Sequence, residues 1–168
     1  MQSENYKNWI AILDLKTCKS CRGTHGQIYE IDEIVLVQPP LHRYCRCVIE
    51  AMEARRAGTC TTLGKAGADW TLNRYGELPD FYILPTDAKL SGWNAQLGNL
   101  DEVCPGRMLI GGVYKNRNSH LPSKEGRIWY EADINYTSGF QRTERILFSN
   151  DGLIFVTYDH YLTFVEVV

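Results

Sequence analysis

The sequence has 168 residues, of which 44% are hydrophobic and 23% are charged, and this composition excludes a wholly disordered chain. The net charge of −2 argues against a large sequence-independent nucleic-acid binder, although a compact site acting on RNA needs only local positive charge. No apolar run approaches the ~20 residues that span a bilayer, and the first residues lack the basic and apolar regions of a signal peptide. We therefore expect a globular chain without a signal peptide or a membrane span.

The cysteines divide the chain unevenly, because five of the six lie before residue 61. Residues 58–67 are rich in Gly and Thr, which predicts a linker with little to bury. We predict a small cysteine-rich unit over residues 1–57, a linker over residues 58–67 and a larger domain over residues 68–168.

The first unit carries two groups of metal-binding residues separated by a hairpin-length insert. Cys18-x-x-Cys21 is the first group, and His42-x-x-Cys45-x-Cys47 is the second. A unit this small rarely folds without a staple, and the spacing is that of a zinc ribbon. We predict a structural zinc held by Cys18, Cys21, Cys45 and either His42 or Cys47. Two disulfides and free thiols are the alternatives.

The same segment resembles the carboxyl-terminal end of phage minor head (head-morphogenesis) proteins. The matching residues are Cys18-x-x-Cys21, His25-Gly26, Pro39-Pro40-Leu41-His42 and Cys45-Arg46-Cys47. Between them, residues 27–37 alternate well enough to supply strands. The resemblance implies a part that carries or delivers the domain after it, rather than a catalytic module.

The larger domain is predicted to begin with helices and to end with a sheet. Helices are expected over residues 66–75, after an N-cap near Thr86, and over residues 100–103. β-branched and aromatic residues then predict strands, with a hairpin turn at Asn150-Asp151-Gly152. The predicted strands are residues 127–133, 145–148, 153–158 and 161–167. Helices followed by an antiparallel sheet give an α+β fold.

Three polar residues lie on or beside those strands, namely Glu131, Arg145 and His160. A meander would bring this carboxylate, guanidinium and imidazole onto one face. Such a set suits phosphodiester cleavage by acid–base chemistry. Spacing alone does not distinguish this site from a solvated Glu on a strand and a His in a loop.

Residues 68–168 resemble the barnase-like microbial guanyl-specific ribonucleases along essentially their whole length. The matching stretches include Ile110-Gly-Gly112, Asn116-Arg117, Glu131-Ala-Asp-Ile-Asn-Tyr-Thr-Ser-Gly-Phe140, Arg145-Ile-Leu147 and Thr157-x-Asp-His-Tyr161. The resemblance implies helices packed on an antiparallel sheet. It also implies an endoribonuclease that cleaves single-stranded RNA 3′ of guanine to a 2′,3′-cyclic phosphate, without a metal or cofactor for catalysis.

The resemblance implies a role for each matching residue. Glu131 is the expected general base and His160 the expected general acid. Arg145, with Arg142 nearby, is expected to stabilise the phosphoryl oxygens, and Asp133 is an expected structural carboxylate beneath the site. The residues expected to line the site or to bind the base are Lys115, Asn116, Arg117, Asn118, Phe140 and Tyr161.

Three positions depart from the family pattern. Pro85 replaces a phosphate-binding lysine, and Lys89, one helical turn later, is a candidate substitute. Gln141 replaces an arginine; Arg142 follows it, although one step along a strand reverses the side-chain face. Asn118 replaces an acidic residue that binds guanine, and an amide offers one acceptor edge rather than two. Base preference and rate are therefore open.

A phage-head-like segment joined to a ribonuclease predicts the toxin part of a longer protein that is secreted or delivered and acts in the cytoplasm of a target cell. We expect a monomer that acts on RNA and is neutralised by a barstar-like immunity protein. The alternatives are a catalytically weakened ribonuclease fold that binds RNA or a protein, and an ordinary secreted ribonuclease.

Overall fold

One nine-stranded sheet runs through the whole chain in the computed structural model, which describes residues 1–168. The strands are β1 (Gln2–Ile10), β2 (Ile28–Glu30), β3 (Val48–Arg55), β4 (Tyr82–Ile83), β5 (Met108–Tyr114), β6 (Trp129–Asp133), β7 (Arg145–Ser149), β8 (Ile154–Thr157) and β9 (Val165–Val167). The helices are α1 (Lys19–Thr24), α2 (Ala68–Tyr75), α3 (Pro85–Leu90) and α4 (Leu100–Val103), with a 3-10 turn at Gly64–Ala66. The spatial order of the strands is β2-β1-β3-β9-β8-β7-β6-β5-β4.

The larger domain supplies an antiparallel meander from β5 to β9. The sheet is not antiparallel throughout, because β4 pairs in parallel with β5 and β3 pairs in parallel with β9. On one face of the meander, Ile146 and Val156 pack with Ala68 and Leu72 of α2. On the opposite face, Trp129, Leu147 and Phe155 belong to a second buried cluster, and the polar residues Glu131, Asp133 and Arg145 lie beside it. No helix of the structure combines the length and the apolar character that crossing a membrane requires.

The predicted helices at residues 66–75 and 100–103 form as α2 and α4, and Gly76 ends α2 in the left-handed conformation at φ 74°. The N-cap predicted near Thr86 is wrong. Leu84 is the N-cap, two residues earlier, and helix α3 begins at Pro85, because the first helical position needs no N–H donor and suits the fixed φ of proline.

Two predicted strands are much shorter than the sequence pattern indicates, whereas those predicted at residues 127–133 and 153–158 lose one or two residues at an end. Only Val165–Val167 of residues 161–167 is a strand, because His160 and Tyr161 take positive φ values of 58° and 66° and hold the preceding segment in a turn. Only Ile28–Glu30 of residues 27–37 is a strand, and Leu36 beyond it is 93% exposed. A segment with alternating apolar and polar residues forms a strand only where a neighbouring strand pairs with it, and within residues 27–37 β1 pairs only with residues 28–30.

Strands β1 and β3 join the cysteine-rich unit to the larger domain. They were not predicted, because β1 mixes polar and apolar residues and pairs with distant segments. Tyr6, Ile28 and Met52 of this unit share a buried cluster with Trp129 and Phe155 of the larger domain. Sheet and core are therefore continuous across residues 1–57 and 68–168.

Residues 58–67 fold back onto the start of α2 through one buried carboxylate. Asp69 accepts hydrogen bonds from the backbone N–H groups of Gly58 (2.7 Å) and Cys60 (2.8 Å) and from Oγ1 of Thr61 (2.8 Å). Cys60 is only 3% exposed, in the core beneath α2. The segment predicted to have little to bury is thus held by buried hydrogen bonds, which its low apolar content does not signal.

Candidate active site

The polar face of the meander is created by strand register. Asp133 lies directly opposite Arg145 on β7, and Arg145 lies opposite Thr157 on β8. Residues directly opposite each other project to the same face, as do Glu131 and Asp133 two positions apart on β6. The Nε atom of Arg145 is 3.0 Å from Oδ1 of Asp133, and both side chains are mostly buried.

A pair of glycines on β5 makes room for Glu131. A Cβ on Gly111 would lie 2.6 Å from Cγ of Glu131, so a side chain there would displace the carboxylate. The next residue, Gly112, takes φ 85° at an irregularity in the β5–β6 pairing. Tyr161 donates a hydrogen bond from its hydroxyl to Oε2 of Glu131 at 2.5 Å. This contact leaves Oε1 as the free acceptor of the carboxylate.

The turn that carries His160 is strained and heavily bonded. His160 and Tyr161 both adopt left-handed backbone angles, which non-glycine residues rarely do. The N–H of Tyr161 donates to Oγ1 of Thr157 (3.0 Å), and Oδ1 of Asp159 accepts from the N–H groups of Leu162 (3.2 Å) and Thr163 (2.9 Å). The imidazole of His160 is exposed, with its ring centre 5.0 Å from that of Tyr161.

A short loop after β5 forms the other side of the site. The side-chain amide of Asn116, at φ 43°, bonds both ways to Leu121: Nδ2 donates to its carbonyl (2.8 Å) and Oδ1 accepts from its N–H (3.1 Å). The backbone N–H groups of Arg117 and Asn118 have no partner within the protein. This loop can therefore offer donors to a ligand.

An open cleft of about 570 Å³ brings most of the predicted site residues together. The predicted residues that line it are Lys115, Asn116, Arg117, Asn118, Glu131, His160 and Tyr161. A carboxylate on β6 and an imidazole in the turn between β8 and β9, with a loop of free N–H donors, can bind a base and move protons at an adjacent phosphodiester.

Three predicted site residues do not line the cleft. Arg145 lies beneath it, with Nη1 donating to the carbonyls of Arg142 (2.6 Å) and Glu144 (2.7 Å). The side chain of Arg142 is exposed, without a hydrogen bond or ion pair. Phe140 is 63% exposed and packs beside Gly98.

Two polar lining residues were missed from the sequence, in addition to the apolar Val113 and Leu162. Tyr114 stacks on Tyr161 with ring centres 5.2 Å apart, and Nδ1 of His120 lies 3.2 Å from the carbonyl oxygen of Tyr161. Both lie within four residues of the Asn116-Arg117 motif. A search that included the flanks of that motif would have found them.

Burial controls the electrostatics beneath the cleft. It raises the pKa of Asp133 to about 6, because the loss of hydration outweighs the attraction of Arg145, and the charge of Glu131 adds to the rise. Burial and the neighbouring Glu131 also raise the pKa of Tyr161. The phenol therefore stays protonated and can donate to Glu131 at neutral pH.

The five predicted metal ligands converge in the cysteine-rich unit. Nε2 of His42 is 3.2 Å from Sγ of both Cys18 and Cys21, and Sγ of Cys45 is 3.7 Å from that of Cys21. Cys21, Cys45 and Cys47 form a second group that shares Cys21 with the first. Zn–S bonds of ~2.3 Å give a tetrahedral edge of about 3.8 Å, so the Cys21–Cys45 separation fits two thiolates on one ion.

Comparison with known proteins gives a match to each part of the chain. Residues 65–168 match the family model described as ribonuclease, and residues 1–50 match the one described as Phage Mu protein F like protein. Proteins called ribonuclease from Heyndrickxia coagulans, Bacillus intermedius and Bacillus pumilus are each 50% identical over 100 residues, or 60% of this chain. The alignment covers 91% of the first relative and 61% of each of the other two.

The buried pair predicts a pH dependence of stability. The pKa of Asp133 is raised from its ordinary value of 3.8 to about 6 in the folded protein, so its contribution to stability is present below about pH 4 and is lost as the pH rises to about 6. Relative to Asp133→Asn, the wild type should lose at most about 3 kcal/mol of unfolding free energy across this window. Urea unfolding of both proteins from pH 4 to pH 7 measures the difference. A wild type that gains on the variant would show that the ion pair outweighs burial.

Proposed function

The chain belongs to the ribonuclease family, and we propose that it is an endoribonuclease that cleaves single-stranded RNA 3′ of guanine without a metal, through a 2′,3′-cyclic phosphate. The observation that carries this proposal is the common cleft of Glu131, His160 and the 115–118 loop. This arrangement puts a proton acceptor, a proton donor and a base-binding surface within reach of one nucleotide.

The proton transfers follow from the two sides of the cleft. Oε1 of Glu131, the carboxylate oxygen not bonded to Tyr161, takes the proton of the ribose 2′-hydroxyl. The 2′-oxygen attacks the adjacent phosphorus, a P–O bond forms, and the bond from phosphorus to the 5′-oxygen breaks. His160 gives its proton to the departing 5′-oxygen. Arg145 has its Nη2 group without a protein partner and supplies positive charge for the phosphoryl oxygens.

The base is held by the loop after β5. The unpaired N–H groups of Arg117 and Asn118 suit the O6 and N7 acceptors of guanine. Asn118 lines the cleft, but its amide has one acceptor for the two N–H donors of the guanine Watson–Crick edge. The preference for guanine is therefore expected to be weaker than a carboxylate at this position would give.

Cleavage of short single-stranded RNAs in EDTA tests the mechanism. Each substrate carries one G, A, C or U at the scissile position. Glu131→Gln and His160→Gln should each lower kcat/KM at least about 100-fold, because each removes one proton-transfer group. The expected products end in a cyclic phosphate and are found by mass spectrometry.

Asn118→Glu provides the matched test of base recognition. It should raise cleavage after G relative to cleavage after A, because a carboxylate accepts from both guanine donors. A folded wild type that binds these RNAs without cutting them would instead support the alternative function, a ribonuclease fold used as a binding module.

The match of residues 1–50 to a phage protein supports a delivered role. We propose that the domain is the toxin part of a longer protein and acts in the cytoplasm of a target cell. A toxin that its own producer survives needs an inhibitor, and a barstar-like immunity protein covering the open cleft fits that need. The same proposal includes a monomeric state for the chain.

Expression in a bacterial cell tests this role. The wild-type chain should arrest growth and degrade cellular RNA when no inhibitor is present, whereas Glu131→Gln should do neither at the same expression level. Growth at the rate of the Glu131→Gln strain by cells making active wild-type protein would refute the toxin role.

We also propose a structural zinc in the cysteine-rich unit. The shortest contacts join Cys18, Cys21, His42 and Cys45, and this supports these four as ligands, with Cys47 as the alternative. A tetrahedral ion would neutralise the thiolates and hold the start of α1 to residues 42–45. Four protein ligands leave no open coordination position on the ion, so we infer a structural rather than a catalytic role.

Metal content and thermal unfolding test the zinc site. The purified chain should hold one zinc, and a chelator should lower the melting temperature of the wild type. Cys18→Ser and Cys21→Ser should lose the zinc, and Cys47→Ser should keep it if His42 is the fourth ligand. Cys104→Ser, in a separate buried cluster, is the control and should retain the metal. Zinc-free wild type that unfolds at the same temperature as the metal-loaded protein would contradict a structural zinc.

A further inference from the structure

We propose that the cysteine-rich unit is part of the catalytic scaffold, because Gly26 on that unit and His120 on the larger domain position the turn at residues 160–162. Both are positioning residues that act through the backbone of the turn. The inference rests on the proposed ribonuclease function, since that turn presents the general acid.

Gly26 lies directly against the carbonyl group of Leu162. A Cβ on Gly26 would overlap that carbonyl oxygen, and the residue takes φ 83°, which favours glycine. The N–H of Gly26 donates to the carbonyl of Trp9 on β1 at 2.9 Å, so its position is fixed by the sheet. The cysteine-rich unit therefore contacts Leu162, two positions after His160, through a close-fitting surface at Gly26 that we call the seat.

His120 provides the second connection. Its carbonyl accepts from the N–H of Ile28 on β2 at 2.8 Å, and the residue is 8% exposed, with its ring edge-on to Phe164. Nδ1 lies 3.2 Å from the carbonyl oxygen of Tyr161. A carbonyl can only accept, so Nδ1 carries the proton of this hydrogen bond. A path of direct contacts thus runs from β2 through His120 to Tyr161.

The two kinds of restraint act on different sides of the turn. Thr157 and Asp159, within the larger domain, hold the N–H groups of residues 161–163. His120 and Gly26 hold the carbonyl groups of Tyr161 and Leu162. Two successive left-handed residues are strained and persist only where the surroundings fix them. Fixing both sides of these peptide planes determines where His160 projects.

The metal-ligand cluster is connected to this seat by a short path. Helix α1 begins after Cys18, contains Cys21 and ends at Thr24. His25 follows, buried, with Nδ1 accepting from the N–H of Ala11 at 3.0 Å, and Gly26 is next. The segment that would carry the metal is therefore the one that contacts the turn.

Three alanine variants of the full chain test the seat. Gly26→Ala should lower kcat at least about 10-fold while KM stays within about 2-fold, because displacement of the turn affects proton transfer more than base binding. Gly23→Ala lies in the same unit with open space around its Cβ, and Gly106→Ala has a positive φ of 74° without any overlap. Both controls should keep the wild-type kcat.

Amide hydrogen exchange gives a result that does not depend on catalysis. Exchange at Tyr161, Leu162 and Thr163 should be faster in Gly26→Ala than in the wild type, and unchanged in Gly23→Ala. A folded Gly26→Ala with normal exchange there and normal kcat would overturn the inference. If the wild type does not cleave RNA, the proposed function fails, and the exchange result still decides whether the unit positions the turn.

A pair of His120 variants covers the case in which Gly26→Ala does not fold. His120→Leu removes the N–H donor to the carbonyl of Tyr161, whereas the side-chain amide in His120→Asn supplies an N–H donor near the position of Nδ1. His120→Leu should lower kcat with little change in KM, and His120→Asn should recover a substantial part of the loss. Equal kcat values for the two variants would contradict positioning through this hydrogen bond.

Discussion

The register between β6 and β7 is the constraint on which the candidate site depends. It places Asp133 opposite Arg145 on one face and Ala132 opposite Ile146 on the other. A slip of one residue would turn Glu131 and Asp133 into the apolar layer under α2. Burying two carboxylates there without partners would cost far more than the hydrogen bonds of a strand pair return. The same alternation that builds the core therefore gathers the polar groups beneath the cleft.

The three departures from the family pattern lie in different places and have different consequences. Pro85 begins α3, where it suits the helix, and Nε2 of Gln141 is buried without a hydrogen-bond partner. Asp133 keeps Oδ2 unpaired as well. An unsatisfied buried group costs about 1–3 kcal/mol, so the change at Gln141 is expected to affect stability. Among the three, Asn118 alone lines the cleft, and it bears on the choice of base.

Local signals in the sequence were sufficient to predict the elements whose bounds depend on their own residues. A left-handed glycine ends α2, and β-branched residues form β7 and β8, close to the predicted bounds. What the sequence did not provide depends on contacts that form only in the folded chain. The partners of β1 lie far along the chain, and the strand predicted over residues 161–167 begins only at Val165, because Thr157 and Asp159 hydrogen-bond the backbone of residues 161–163. The position of His120 at the cleft likewise depends on the carbonyl of Tyr161, which comes near only when the turn has folded.

The cysteine-rich unit and the larger domain share one sheet and one buried cluster, so the boundary between them in the sequence is not a boundary in the structure. Strand β3 lies parallel to β9, and Glu166 on β9 accepts from the side chains of Ser3 and Asn5. Met52 and Phe155, each almost fully buried, belong to one cluster. Loss of the cysteine-rich unit or of the larger domain would expose apolar surface and remove the partner of β9 or β3, leaving an open sheet edge. The cysteine cluster and the turn at residues 160–162 therefore belong to one packed structure rather than to two independent units.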